Sequence, residues 1–272
     1  MHPPLGDLEP LVLRRPLRGR ILVLDEAGGP REGAVAAAGS SGAPFRLTVL
    51  GESTAASVGV SIQEQGLAAA LAHGLVPALQ RPVAWRVVGR SGVTAAVAAQ
   101  RLVPSLEGAA GADLVVICLG VNDILRLTPV TTWRRSMHAV LDGIRERAPQ
   151  ALVVVAGVPP AELMPLPPRA VAALMGRRAR VLDRALEEVC AEQAAVHVPL
   201  AEADIEDCFA PDGFHPSAQG YARWADALVP VVIAALTGSE QTGSEPAGPQ
   251  PGGSEPSGPA ATGQDGPAVG AS

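Results

Sequence analysis

Lysine is absent from all 272 residues: the 21 basic side chains are every one arginine. A Walker-type phosphate loop and a Schiff-base mechanism both depend on a lysine amine, so both enzyme classes drop out. A GC-rich coding bias would also explain the missing lysine and the many Ala, Gly, Pro and Val, but the chemical exclusion holds either way. Cysteine is scarce too. Cys118, Cys190 and Cys208 are odd in number and far apart, which gives neither a disulfide framework nor a CxxC metal pair. Cys118 lies within the apolar run Leu114–Leu119, where a free thiol behaves as a small hydrophobe. No apolar stretch approaches the roughly 20 residues that span a bilayer. Met1–Asp7 lacks the basic and apolar regions of an export signal. The expectation is a cytoplasmic protein without stable membrane insertion. Net charge is −6 with both signs scattered, which argues against a nucleic-acid partner. The densest basic run (Arg14, Arg15, Arg18, Arg20) reads as solvated surface.

What is present suffices for one buried core, since 47% of the residues are hydrophobic. Composition divides the chain into a partly ordered N-terminal extension (1–44), a folded domain (45–236) and a Gly/Ser/Pro/Glu-rich tail (237–272). The tail has almost no apolar residue to offset ordering entropy and is expected to be disordered. Within the domain, Arg46–Leu50, Val83–Val88, Leu114–Leu119, Leu152–Val158 and Ala195–Pro199 are short apolar runs. Such unbroken runs fit strands buried on both faces. Helical patterns separate them. In Arg169–Gln193, Leu174, Val181, Leu182, Ala185, Leu186 and Val189 fall near one face. Trp133–Arg147 and Ala218–Leu236 read similarly, the latter opening after Pro216 and Ser217. The alternation implies βαβ crossovers and a parallel sheet covered by helices on both faces. Sites in such sheets lie beyond the carboxyl ends of the strands.

Gly51-Glu52-Ser53-Thr54 follows the first strand. Ser53 at a helix start is either a nucleophile, where helix amides favour negative charge, or simply a cap. A phosphate cradle lacks its glycines and lysine, and the Gly-x-Ser-x-Gly elbow is absent because Ala55 replaces its second glycine. Gly89-Arg90-Ser91-Gly92-Val93-Thr94 follows the second strand, and Gly120-Val121-Asn122-Asp123 the third. Asn122 is the chain's single asparagine. Its side-chain N–H suits an oxyanion, against the plainer alternative of a turn or cap. Pro211-Asp212-Gly213-Phe214-His215-Pro216-Ser217 precedes the last helix. An Asp three residues before a His can hold one imidazole nitrogen and leave the other to accept a proton. A metal would need more ligands, and His2, His73, His138 and His197 show no ligand spacing.

Gly-Glu-Ser-Thr, Ser91-Gly92, Gly120–Asp123 and Asp212–Pro216 occur in order at the ends of successive βα units. Over roughly Arg46 to Leu236 the chain resembles the SGNH, or GDSL-like, hydrolase family of esterases and lipases. The resemblance implies a flavodoxin-like, three-layer α/β/α sandwich with a five-stranded parallel sheet. It implies Ser53 as nucleophile, His215 as base and Asp212 as its orienting acid. The Ser53 and Gly92 backbone N–H groups and the Asn122 side chain would form the oxyanion hole. Two positions depart from the family: Glu52 stands where Asp is usual, and Val88-Gly89 lacks the asparagine that often precedes the second block's glycine.

These assignments predict serine ester hydrolysis through an acyl-enzyme, without metal or organic cofactor. The expected partner is a small-molecule ester, with no protein partner. Leu163, Met164 and Leu166, in the loop after the fourth strand, are expected to line an apolar acyl pocket for short- to medium-chain esters. Thioesters or acetylated carbohydrates and lipids are the alternatives on the same site. A non-catalytic ligand-binding module and a flavin or nucleotide binder are rivals of another class.

Overall fold

The structure, a computed structural model, describes residues 22–106, 111–159, 165, 168–200 and 208–243. Among the described residues six strands form one sheet: β1 (Glu32–Val35), β2 (Phe45–Gly51), β3 (Val83–Gly89), β4 (Leu114–Cys118), β5 (Leu152–Ala156) and β6 (Val196–Val198). Their order across the sheet is β1-β3-β2-β4-β5-β6. Neighbours among β2 to β6 run parallel, whereas β1 pairs antiparallel with β3. The five parallel strands therefore follow the flavodoxin-like order, and β1 corrects the expected count from five to six. β1 lies inside the segment read as an extension. Its sequence, Glu-Gly-Ala-Val, is half-buried at the sheet edge and carries little strand propensity.

Strand alternation divides the core into two layers. Val115 and Ile117 of β4 pack with helices α4 (Val130–Arg147) and α5 (Arg169–Glu192). Leu114, Val116 and Cys118 pack on the other face with α1 (Leu67–Leu79) and α6 (Ala218–Gly243). Between β3 and β4 the chain forms the short α2 (Ala95–Val97), which widens into a π-helical stretch and then tightens to a 3₁₀ turn. The five-residue α3 (Val121–Leu125) follows β4.

Two helices depart from the sequence pattern. α5 buries Ala172, Gly176, Ala179, Leu182, Ala185, Leu186, Val189 and Cys190, while Leu174 is 67% and Val181 50% exposed. Small residues set its contact face along the first half, so the large apolar ones there point outward. α6 runs on to Gly243, past the boundary placed at Thr237. The Thr237 hydroxyl donates back to the carbonyls of Ile233 and Ala234, both at 3.1 Å, and so stays within the helical path.

α6 is tied to the turn after β2 by one buried hydrogen bond. The Tyr221 hydroxyl, fully shielded, donates to the Val58 carbonyl at 2.7 Å. Removing a buried donor leaves its acceptor unsatisfied, at about 1–3 kcal/mol. Tyr221→Phe is expected to lower the unfolding free energy by about that amount, read as a lower urea midpoint at unchanged slope. An unchanged midpoint would show that water reaches the Val58 carbonyl.

Candidate active site

β2 ends in Gly51, whose backbone passes so near β4 that an added Cβ would lie 2.0 Å from the Cys118 carbonyl oxygen. Only glycine permits this approach. The Glu52 N–H then donates to that same carbonyl at 3.0 Å, turning the chain over the end of the sheet. Ser53 does not open a regular helix, as its sequence setting suggested. Residues 52–60 form successive turns, broken by Ser57 at φ 58° and Gly59 at φ 108°, and α1 begins only at Leu67.

His215 reaches Ser53 from the other end of the chain. Its Nε2 lies 2.9 Å from the Ser53 Oγ, and its Nδ1 lies 2.6 Å from Asp212 Oδ2. Asp212 is buried and uses its second oxygen to accept the Phe214 and His215 backbone N–H groups at 2.9 and 3.0 Å. With Nδ1 donating to this carboxylate, which the geometry allows, the Nε2 lone pair faces the serine hydroxyl. The Phe214 ring packs edge-on against the imidazole at 5.0 Å. Ser217 caps α6 by accepting the Gly220 N–H at 3.2 Å, which fixes where the loop ends.

Asn122 and Gly92 lie at the ends of the strands flanking β2. Among the described residues, the backbone N–H groups of Ser53 and Gly92 donate no hydrogen bond. Gly92 holds φ +77°, a conformation that side-chain-bearing residues seldom adopt. The Arg126 guanidinium donates to the Gly92 carbonyl at 3.2 Å, bridging this turn to the end of α3. The Asn122 side-chain amide donates to Glu52 Oε2. A primary amide has two N–H groups, so one remains for a ligand.

Glu52 has a larger part than its sequence position suggested. It is 2% exposed and also accepts the Val121 and Asn122 backbone N–H groups at 2.9 and 3.0 Å. Burial pushes its carboxyl up to about 7, aided by the charge of Asp123 and opposed by the Asn122 and Val121 hydrogen bonds. Asp123, buried beside it, accepts the Ala95 N–H at 2.9 Å and so joins α3 to the start of α2. The sequence signal for both acids was weak: a Glu where Asp is usual, and an acid next to the lone asparagine.

Leu163, Met164 and Leu166 lie outside the described residues. A concavity of about 420 Å³ lined by Arg46, Thr48, Trp85 and Arg86 sits at the amino ends of the strands, remote from Ser53. Among the described residues, no cluster of three or more His, Cys, Asp or Glu could hold a metal ion. No described helix is long and apolar enough to cross a membrane.

A family model described as GDSL-like lipase/acylhydrolase matches residues 49–223. The chain belongs to this family. It is 29% identical over 207 residues to the GDSL-like esterase Rv1075c of Mycobacterium tuberculosis, covering 71% of this chain and 64% of that protein. The chain thus spans less than two thirds of that relative's length. Among solved structures, the psychrotrophic esterase EstA from Pseudoalteromonas sp. superposes with a TM-score of 0.55 at 21% identity, covering 71% of this chain and 99% of that one. TesA superposes with a TM-score of 0.54 at 25% identity, covering 68% and 96%. Family membership and fold agree with the resemblance drawn from the motifs.

The buried acid of this GDSL-like chain has a consequence for stability. The carboxyl titrates near 4.5 in an unfolded chain and near 7 when folded, so between those values the folded state holds the extra proton. Its contribution is therefore full below pH 4.5 and is lost as pH rises through 7, by about 3 kcal/mol. Glu52→Gln, neutral at every pH, lacks this dependence. Relative to wild type, the variant is expected to gain about that much between pH 4.5 and 8 in urea unfolding. A difference that stays constant across this range would contradict the burial argument.

Proposed function

We propose that the chain is a carboxylic ester hydrolase acting through an acyl-enzyme on Ser53. The observation that carries this reading is the continuous relay from Asp212 through His215 to Ser53, with heavy-atom separations of 2.6 and 2.9 Å. A half-buried serine and histidine have no packing reason to meet across 162 residues of sequence, and a helix cap needs no imidazole.

The chemistry follows from those atoms. Ser53 Oγ attacks the ester carbonyl carbon as its proton passes to His215 Nε2. Asp212 holds the ring in the tautomer that can accept the proton and stabilises the imidazolium that results. The carbonyl π pair moves onto oxygen, giving an oxyanion that the Ser53 and Gly92 N–H groups and the second Asn122 N–H receive. As the tetrahedral adduct collapses, the bond to the alkoxy oxygen breaks, and the alcohol leaves with the proton from Nε2. Water then repeats the sequence on the acyl-serine, giving the acid and returning the proton to Oγ. The residues need no metal or organic cofactor for this cycle.

For the substrate, we favour esters of short to medium acyl chains. The half-buried Ser53 lies at the rim of the sheet, and the loop bearing Leu163, Met164 and Leu166 follows β5, one strand from the β4 end that carries Asn122.

A fluorophosphonate probe followed by mass spectrometry is expected to label Ser53, with p-nitrophenyl acetate and butyrate as turnover substrates. Ser53→Ala should remove labelling and reduce kcat by about 10⁴-fold or more. Preference for acyl thioesters would move the substrate class to thioesters. Ligand affinity with neither labelling nor turnover would instead favour a binding module. Asn122→Ala is expected to lower kcat by about 10²–10³ with KM little changed, since its donor acts on charge present only in the transition state. An equal fall through KM alone would assign Asn122 to ground-state binding.

A further inference from the structure

Residues 26–35 lie outside the stretch matched by the family model, yet they close around the turn that carries Gly92. The Ser91 N–H donates to Glu26 Oε1 at 2.6 Å. Arg31 pairs with the other Glu26 oxygen, and its second nitrogen donates to the Gly89 carbonyl at 2.6 Å. The backbone supports these contacts. The Val87 N–H donates to the Arg31 carbonyl at 2.8 Å, and β1 continues along β3 from Glu32. Between Glu26 and Arg31, the Ala27 N–H donates to the Ala56 carbonyl at 3.3 Å and the Gly28 N–H to the Ser61 carbonyl at 3.0 Å. The buried Gln63 side chain donates to both the Ala27 and Ala56 carbonyls, at 3.0 and 3.2 Å. The segment is thus fastened at one end to the nucleophile's turn and at the other to β3.

Its effect on Gly92 follows from counting amides. The Arg90 N–H is engaged by the Gly51 carbonyl at 3.1 Å and the Ser91 N–H by Glu26. The next N–H, that of Gly92, donates to no described residue. A glycine turn with positive φ has several accessible conformations, and two fixed amides immediately before it leave few. An oxyanion donor contributes to rate only when it is already aimed, because reorganisation during the reaction cancels the gain.

We propose that Glu26, held by Arg31, is a positioning residue that fixes the Arg90–Ser91 peptide, immediately before the one bearing the Gly92 N–H, and thereby aims that N–H into the oxyanion hole. The proposal rests on the hydrolase reading above. Glu26 touches no reacting atom. It acts through the peptide next to the donor, and Arg31 acts through Glu26 and Gly89.

The test uses the full chain with p-nitrophenyl butyrate and follows kcat, KM, the rate of Ser53 labelling by a fluorophosphonate, and the urea midpoint. Glu26→Ala is expected to lower kcat by about 10-fold, less than outright loss of a donor, with KM within about two-fold and labelling slowed in parallel. Glu26→Gln keeps an oxygen for the Ser91 N–H and should recover kcat to within about three-fold of wild type. Arg31→Ala should fall between the two. If kcat per folded molecule is unchanged in Glu26→Ala and Arg31→Ala, the segment is only a staple and the proposal fails. Should the alanine variants not fold, Glu26→Gln against Glu26→Leu, compared per folded molecule, decides it by the same criterion. Wild type that neither labels nor turns over would instead defeat the hydrolase reading, an outcome separable from the first.

Discussion

The register of three neighbouring parallel strands underlies everything at this site. Gly51 of β2 stands level with Gly89 of β3 and with Cys118 of β4. A parallel sheet places the carboxyl ends of adjacent strands side by side, and here the order reverses at β2. The loops leaving β2, β3 and β4 carry Ser53, Gly92 and Asn122. Each is two to four residues past its strand, so the register sets its approximate place and the contacts of its turn set the rest. Only the imidazole comes from elsewhere, and it arrives on a loop held by α6 against the same edge. A slip of one residue in any of these pairings would turn alternate side chains to the wrong face and move the loop it leads into.

Much of this arrangement was legible in the sequence because its signals are local. Asp212 and His215 are three residues apart, and a carboxylate at that spacing can reach both the ring and the loop's own amides. The apolar run Leu114–Cys118 reads as a buried parallel strand because nothing polar interrupts it. The sheet edge was not legible. Glu32–Val35 has neither β-branched runs nor alternation, and it becomes a strand only because β3 offers an unpaired edge. The clamp of Glu26 and Arg31 was hidden for a related reason. Both are charged residues in a Gly-rich stretch, and their partners lie 65 and 58 positions away, beyond the reach of any local pattern. The contact face of α5 was misread in its first half because periodicity weights large side chains, whereas that interface selects small ones.

Four carboxylates share one structural habit. Glu26 accepts the Ser91 N–H, Glu52 those of Val121 and Asn122, Asp123 that of Ala95, and Asp212 those of Phe214 and His215. Loops at strand ends expose backbone amides that secondary structure leaves unpaired; Glu26, Glu52 and Asp123 satisfy them from another segment, and Asp212 from within its own loop. Each such contact is charge-assisted when the acid is ionised, hence stronger than its neutral counterpart. The same contacts make rigid the peptides that precede or contain the functional groups. At the turns of Gly92 and Asn122 loop rigidity therefore comes from long-range acids, whereas the His215 loop is held by its own Asp212.

This habit carries an electrostatic difficulty, because acids gathered near a nascent oxyanion oppose it. Two features reduce the opposition. Glu26 is paired with Arg31, so its charge is compensated by a cation on the same segment. Glu52, the acid in contact with Asn122, is so deeply buried that its carboxyl is lifted to about 7. Its protonated form is therefore far more accessible near neutral pH than that of an ordinary carboxyl. A protonated carboxyl still offers a carbonyl oxygen to the amides around it, so it keeps positioning Asn122 while repelling the oxyanion less. The Asp usual at this position has a shorter side chain and would not bring its oxygens equally far toward the start of α3. The longer glutamate spans from the end of β2 to three N–H groups there, and its burial is the physical reason it can hold them without a full opposing charge.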